Sequence, residues 1–252
     1  MIDRWRVGAN LATLANGLLG VGAVLYTLAG NKPWAMLLVA MGIGFDGLDG
    51  MLSRRSPVRS GTFGRIADSV ADATTFGVAP AVMLAVHTTS AATWAPYSSL
   101  MTSVAVVYLA AALARLTYFT ARGHSLPNFL GVPTPQSALA VIVVLLFHDA
   151  PGYAGVQPLG VVIGALALAA LMVVPVPYPK IRRGSPLRIP SAVTAVLAGL
   201  VLVPLQFRPT AGTLLALEAE LAAFGLLVGV GMYYVVGPFV VPEEGPREEV
   251  AA

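Results

Sequence analysis

Long apolar runs, broken by short clusters of charge, proline and glycine, recur along almost the whole chain and predict eight helices. They fall at roughly 8–29, 34–53, 65–86, 98–120, 134–147, 154–176, 191–207 and 212–237. Each except 134–147 and 191–207 reaches the ~20 residues that carry a helix across a bilayer core. Those two are short and bounded by proline, so extension, tilting or partial re-entry is expected of them. Small residues are frequent inside the runs, as at Gly17, Gly20 and Gly22 and again at Gly42, Gly44 and Gly47. In lipid such residues let helices approach closely, so they predict packing seams.

Composition points the same way. Hydrophobic residues make up 57% of the 252 and charged ones only 11%, with a mean hydropathy of +0.79. A soluble domain with so little charge could not cover its surface, so the expected class is a polytopic membrane protein, all-α. Cysteine is absent, which excludes disulfides and thiolate chemistry. The charged start, Met1 to Arg6, leads into the first run without a small-residue cleavage site and reads as the edge of a retained span.

Where the basic residues sit matters more than the net charge of +3. Arg4 and Arg6 precede the first run. Arg54, Arg55, Arg59 and Arg65 lie around the second connection, Arg122 in the fourth, and Lys180, Arg182, Arg183 and Arg188 in the sixth. The odd connections hold Lys32 and Arg208. Eleven against two is a strong positive-inside bias, predicting a multi-pass protein of the cell (inner, cytoplasmic) membrane with both termini in the cytoplasm. The acidic tail from Glu243 to Ala252 reads as a mobile end. No nucleic-acid partner is expected.

Chemistry concentrates in one stretch. Four of the six aspartates, Asp46, Asp49, Asp68 and Asp72, fall within twenty-seven residues, between apolar flanks. On a helix, Asp46, Asp49 and Gly50 stand at i, i+3 and i+4 and share one face; Gly64, Asp68 and Asp72 recur every four residues and share another. Two facing helices would bring the four carboxylates around one point. Charged groups inside spans are costly and usually functional. A divalent cation keeps such carboxylates ionised, and oxygen-only ligands favour magnesium, manganese or calcium. Pairing with the neighbouring arginines is the structural alternative, but it leaves Gly50 and Gly64, one turn from the acids, unexplained.

The motif is Asp46-x2-Asp49-Gly50-x2-Ser53-Arg54, a spacer of nine, then Gly64-x3-Asp68-x3-Asp72. It resembles that of the CDP-alcohol phosphotransferases (CDP-alcohol phosphatidyltransferases), with Ser53 where the family usually has alanine and a spacer about one residue longer. Phe76-Gly77-Val78-Ala79-Pro80-Ala81, Ala114-Arg115, Gly131-Val132-Pro133-Thr134-Pro135 and Pro177-Tyr178-Pro179-Lys180 resemble the phosphatidylserine synthases of that family. Asn10-Leu11-Ala12-Thr13 is similar to its opening segment, with Ala9 in place of a proline. The likeness covers roughly residues 7 to 183.

The resemblance implies a six-helix family core, taken over 1–183; the apolar runs beyond it predict about two additional transmembrane helices over 184–240, followed by a flexible acidic tail over 241–252. It implies that Asp46, Asp49 and Asp68 hold one or two divalent cations, Mg2+ or Mn2+, with Asp72 contributing to the second and acting as general base. Gly50 and Arg54 are then expected at the diphosphate of CDP-diacylglycerol, with Asn10, Thr13, Ser53 and Gly64 around the nucleotide. L-serine is the expected acceptor, its carboxylate met by Arg115, the one arginine well inside a predicted span, or by Lys180. A homodimer is expected from the family, surrounded by membrane lipid.

Near relatives of this chemistry use glycerol 3-phosphate, inositol phosphate or an ether-lipid donor. An ion transporter would be expected to show internal repeats, and an intramembrane prenyltransferase two separated Asp-rich motifs; neither appears. His87, His124 and His148 lack ligand spacing with one another, and Glu218 and Glu220 receive no role. Trp5, Trp34 and Trp94 suit interfacial belts.

Overall fold

A computed structural model describes residues 3–57, 61–87, 96–122, 129–149 and 158–178. The expected spans at 191–207 and 212–237, the tail, Lys180, His124, Glu218 and Glu220 lie outside the described residues. Within them the protein is helical: α1 (Arg4–Leu28), α2 (Lys32–Ser53), α3 (Thr62–Asp72), a π-helical turn (Ala73–Val78), α4 (Ala79–His87), α5 (Ser98–Arg122), α6 (Thr134–Asp149) and α7 (Pro158–Val173). The only strands among the described residues are two short ones, β1 (Phe129–Leu130) and β2 (Pro177–Tyr178), paired antiparallel.

Among the described residues, four helices are long and apolar enough to cross a bilayer: Arg4–Leu28, Lys32–Ser53, the continuous Thr62–Val86 and Ser98–Ala121. The molecule is an integral membrane protein, with the predicted order of its first six runs. The seventeen described large apolar side chains of α1 to α5 that remain exposed, such as Leu11, Leu14, Leu18 and Leu25, are those a lipid environment would accept.

Local signals explain where the helices begin and end. Asp3 caps α1 by accepting from the Trp5 amide at 3.0 Å. At the other end, Gly30 takes a φ of +76°, and the amides of Gly30 and Asn31 reach back to the carbonyls of Thr27 and Tyr26 at 3.0 and 2.9 Å. That left-handed glycine reverses the chain within three residues. Asn31 then caps α2, with Pro33 in the first turn, where its missing N–H costs nothing. The result is a tight antiparallel hairpin of α1 and α2, closed at its turn by the stacked rings of Tyr26 and Trp34, 6.0 Å apart.

The third span enters this hairpin from the side. Its π turn brings Thr75 between Gly20 of α1 and Gly42 of α2. A methyl group added at Gly20 would sit 2.8 Å from both the Cα and the N of Thr75, and one at Gly42 would strike the Thr75 methyl. Two glycines thus define the depth of the α1–α2–π contact. Phe76 is fully buried, and its carbonyl accepts from the buried Tyr108 hydroxyl of α5 at 3.2 Å. A π turn misaligns backbone groups that an α-helix would pair, and Tyr108 supplies one with a partner.

α6 runs through the interior. Ala138, Val141, Ile142, Val143 and Leu145 are all essentially inaccessible, as expected of a helix apolar on every side. It packs on α7, the π turn, α2, α4 and α5. Of the run expected over 154–176, the described part is helical as α7, Pro158–Val173. Pro175 and Pro177 cannot continue the helix, because neither has an N–H to donate. The chain instead pairs as β2 with β1, where Phe129 faces Tyr178 and Leu130 faces Pro177. Gly131, at φ +73°, donates to Val176 O at 2.8 Å, and Val132 donates to Leu171 O at 3.0 Å. The clip thereby satisfies carbonyls at the end of α7 and joins the segments 129–132 and 176–178.

The glycine seam gives a direct test. Gly20→Ala and Gly42→Ala are expected to destabilise the detergent-solubilised protein by about 1–3 kcal/mol, the usual cost of overpacking a tight site. Gly44→Ala, where nothing lies within 4 Å, is the control and should leave the melting temperature unchanged. Equal melting of all three variants would contradict the packing described.

Candidate active site

The acidic motif folds as its spacing demands. Asp46 and Asp49 lie near the C-terminal end of α2, and Asp68 and Asp72 on α3. Ligand oxygens of Asp46, Asp68 and Asp72 lie within 4.8 Å of one another. Asp49, the most buried of the four at 6% exposure, interacts electrostatically with Asp46 and Asp68. Carboxylates this close in a poorly solvated bundle repel unless positive charge or a proton lies between them. The donor set is all oxygen, drawn from two helices, and it fits a hard divalent cation.

α1 supplies the hydrogen bonds that orient two of these acids. The Thr13 hydroxyl donates to Asp49 Oδ2 at 2.7 Å. One turn further on, the Asn16 side-chain amide donates to Asp72 Oδ1 at 2.9 Å. Asn16 has no exposed surface. Its backbone carbonyl also accepts from the Thr75 hydroxyl at 2.8 Å, which ties α1 to the turn that follows Asp72. Sequence reasoning passed over both Asn16 and Thr75. The available signal was spacing: Asn16 stands three residues after Thr13, on the same helical face.

The motif glycines have a visible use. A methyl group on Gly50 would lie 3.3 Å from a guanidinium nitrogen of Arg54, and one on Gly64 would lie 2.9 Å from a guanidinium nitrogen of Arg6. Each glycine therefore seats an arginine against the helix that carries two of the acids. Arg54 itself caps α2, its amide reaching Gly50 O at 3.3 Å. Ser53 occupies the last turn of α2 and is half-buried. Asn10 is exposed and, unlike Thr13 and Asn16, makes no side-chain hydrogen bond among the described residues. Around the same end, Arg4 and Arg55 lie over the Trp5 ring at 5.2 and 5.5 Å, and the Ser56 hydroxyl donates to the Asp3 carboxylate.

Arg115 belongs to a second polar group. It is buried in α5 at 7% exposure, donates to the Thr134 hydroxyl of α6 at 3.4 Å and lies 6.0 Å from the Phe119 ring centre. On the same first turn of α6, Gln136 Oε1 and Ser137 Oγ are buried without a hydrogen-bond partner among the described residues. α3 and α5 are bridged beside Asp68 by the hydroxyls of Ser69 and Thr120. The site residues expected from sequence thus divide into the aspartates, brought together with Thr13, Arg54 and the two glycines, and Arg115, held with Thr134.

Comparison with known proteins agrees with this geometry. The CDP-diacylglycerol–serine O-phosphatidyltransferase of Bacillus subtilis (strain 168) is 28% identical over 176 residues, covering 69% of this chain and 90% of the relative. The archaetidylserine synthase of Methanothermobacter thermautotrophicus is 27% identical over 173 residues, covering 68% of this chain and 69% of the relative. A CDP-diacylglycerol–serine O-phosphatidyltransferase of Helicobacter pylori (strain J99) is 28% identical over 178 residues, covering 69% and 72%. Residues 6–176 match the family model for CDP-alcohol phosphatidyltransferase, a stretch that contains all four aspartates, both seated arginines and Arg115. The chain is therefore a transferase of membrane phospholipid synthesis and belongs to the CDP-alcohol phosphatidyltransferase family.

Proposed function

We propose that the protein transfers the phosphatidyl group of CDP-diacylglycerol to L-serine, giving phosphatidylserine and CMP. The observation that carries this reading is the convergence of Asp46, Asp68 and Asp72 beside Asp49, in a chain whose relatives bear serine phosphatidyltransferase names. The serine hydroxyl attacks the phosphorus that bears diacylglycerol. The bond from that phosphorus to the bridging diphosphate oxygen breaks, and CMP leaves with that oxygen.

Asp72 takes the proton of the attacking hydroxyl. An aliphatic alcohol is a poor nucleophile at neutral pH, so this base and the positioning of the alcohol both contribute. Asp46, Asp49 and Asp68, with Asp72, would hold Mg2+ or Mn2+, one or two ions. When bound, the cation supplies positive charge against the diphosphate of the donor. Thr13 holds the Asp49 carboxylate in its ligating orientation through its 2.7 Å bond. Arg54, lying flat on Gly50, offers its planar fork to phosphate. Asn10, Thr13, Ser53 and Gly64 line the nucleotide side. The acyl chains remain in the bilayer.

Arg115 receives the serine carboxylate, with Lys180 the alternative. Support comes from its burial and from its neighbour Thr134: a guanidinium held inside a span is an expensive feature that anion binding would justify. The distribution of basic residues supports a cytoplasmic active site and cytoplasmic termini in the cell membrane. Residues 1–183 form the catalytic core, and the enzyme acts as a homodimer. An archaetidylserine synthase among the relatives favours a second reading in which the donor carries ether-linked chains and the acceptor is unchanged.

The purified protein is expected to release CMP from CDP-diacylglycerol only when serine and Mg2+ or Mn2+ are present, and to form labelled phosphatidylserine in equal amount. Turnover with glycerol 3-phosphate or inositol phosphate and none with serine would overturn the acceptor assignment. Asp72→Asn is expected to lower kcat by about 10²–10⁴-fold, the usual contribution of a positioned base, while CDP-diacylglycerol still binds. Undiminished turnover would remove Asp72 from that role. Arg115→Lys should raise the KM for serine by on the order of tenfold, as expected on losing a charged hydrogen bond of about 1.5 kcal/mol, and leave the KM for the donor unchanged.

A further inference from the structure

We infer that Asn16 is a positioning residue: it fixes the Asp72 carboxylate, and through it the cation site, although it touches neither substrate. The inference rests on the proposed use of Asp72 but concerns a residue that no motif assigns. A fully buried amide in a membrane span is costly unless its groups are paired. Asn16 Nδ2 donates to Asp72 Oδ1 at 2.9 Å, while its own Oδ1 is buried and accepts no hydrogen bond among the described residues. A residue kept for packing alone would be apolar here, as are the neighbouring buried positions Ala9, Ala12 and Ala23 of the same face.

The surroundings hold the amide in one orientation. Gly42 of α2 leaves Oδ1 its place, since a methyl group there would lie 3.0 Å from it. The Thr75 hydroxyl binds the Asn16 backbone carbonyl at 2.8 Å. Asn16 is therefore gripped from α2 and from the π turn, and Asp72 sits at the start of that turn. The amide fixes rotation of the carboxylate about its Cβ–Cγ bond, so both oxygens acquire set directions relative to Asp46 and Asp68. Thr13 does the same for Asp49 from the same helix face. Hydrogen-bond donors behind ligating side chains commonly change metal affinity or activity by 10–100-fold.

The test uses Mn2+ binding read by electron paramagnetic resonance on the full-length protein in detergent, together with serine-dependent turnover. Asn16→Ala is expected to weaken Mn2+ binding about 10–100-fold and to lower kcat, with the KM for serine unchanged. Asn16→Asp keeps the shape but replaces the donor with an acceptor and should do no better; thermal melting of each variant separates misfolding from mispositioning. In the Asp72→Asn background, Asn16→Ala should weaken Mn2+ binding no further, because its target is gone.

Wild-type Mn2+ binding by Asn16→Asp, additive losses in the double variant, or no Mn2+ binding by the wild-type protein would each overturn the inference. Should Asn16→Ala fail to fold, Asn16→Asp carries the decision alone. Mn2+ binding that depends on Asn16 without turnover on serine would uphold it and sink the acceptor proposal, so the two failures are distinguishable.

Discussion

Like charges held together inside an apolar bundle are the constraint around which this protein is arranged. Oxygens of Asp46, Asp68 and Asp72 lie within 4.8 Å of one another, and Asp49 is close by. Nothing in the hydrophobic effect brings carboxylates together; it opposes their burial. The helices that carry them must therefore be forced into register by other contacts. Those contacts are the short α1–α2 turn at Gly30, the glycine seam at Gly20 and Gly42, and the clasp between Thr75 and Asn16. Packing energy spent at the seam is what makes an unfavourable cluster persist.

α1 carries none of the four acids yet touches two of them. Its buried face is a run of small residues, Ala9, Ala12, Gly20 and Ala23, interrupted by Asn16. Small residues let α2 and α3 approach closely enough for short polar side chains to reach across. Thr13 and Asn16, one turn apart, then each claim one carboxylate from a different helix. The arrangement separates two tasks: α2 and α3 present charge, and α1 sets its direction.

Much of this was legible before any coordinates. Apolar runs longer than the bilayer core gave the first four spans within a few residues, because lipid permits few alternatives to a helix of that length. Helical arithmetic at Asp46, Asp49, Asp68 and Asp72 gave their shared faces. The rest depended on tertiary context. The pairing of β2 with β1, forty-odd residues earlier, is something periodicity does not register. The π turn has no compositional signature in Ala73–Val78. Asn16 drew no reading from the sequence, because only the approach of α3 reveals what its amide faces. That Arg54 and Arg6 lie beside Gly50 and Gly64 likewise depends on side-chain placement that spacing does not carry.

The π turn fixes more than local geometry. In a regular helix each residue advances the face by about 100°, so a helix that gains one residue within a turn rotates everything after it relative to everything before. Here Asp72 precedes the change and Thr75 and Phe76 lie within it, the Thr75 hydroxyl bonded to α1 and the Phe76 carbonyl to α5. Deleting a single residue between Ala73 and Val78 would restore ordinary pitch and swing the downstream half of the span away from one partner or the other. The length of this segment is thus frozen even where its side chains are free to drift, and the lineage of such a protein should record substitutions there far more readily than gaps.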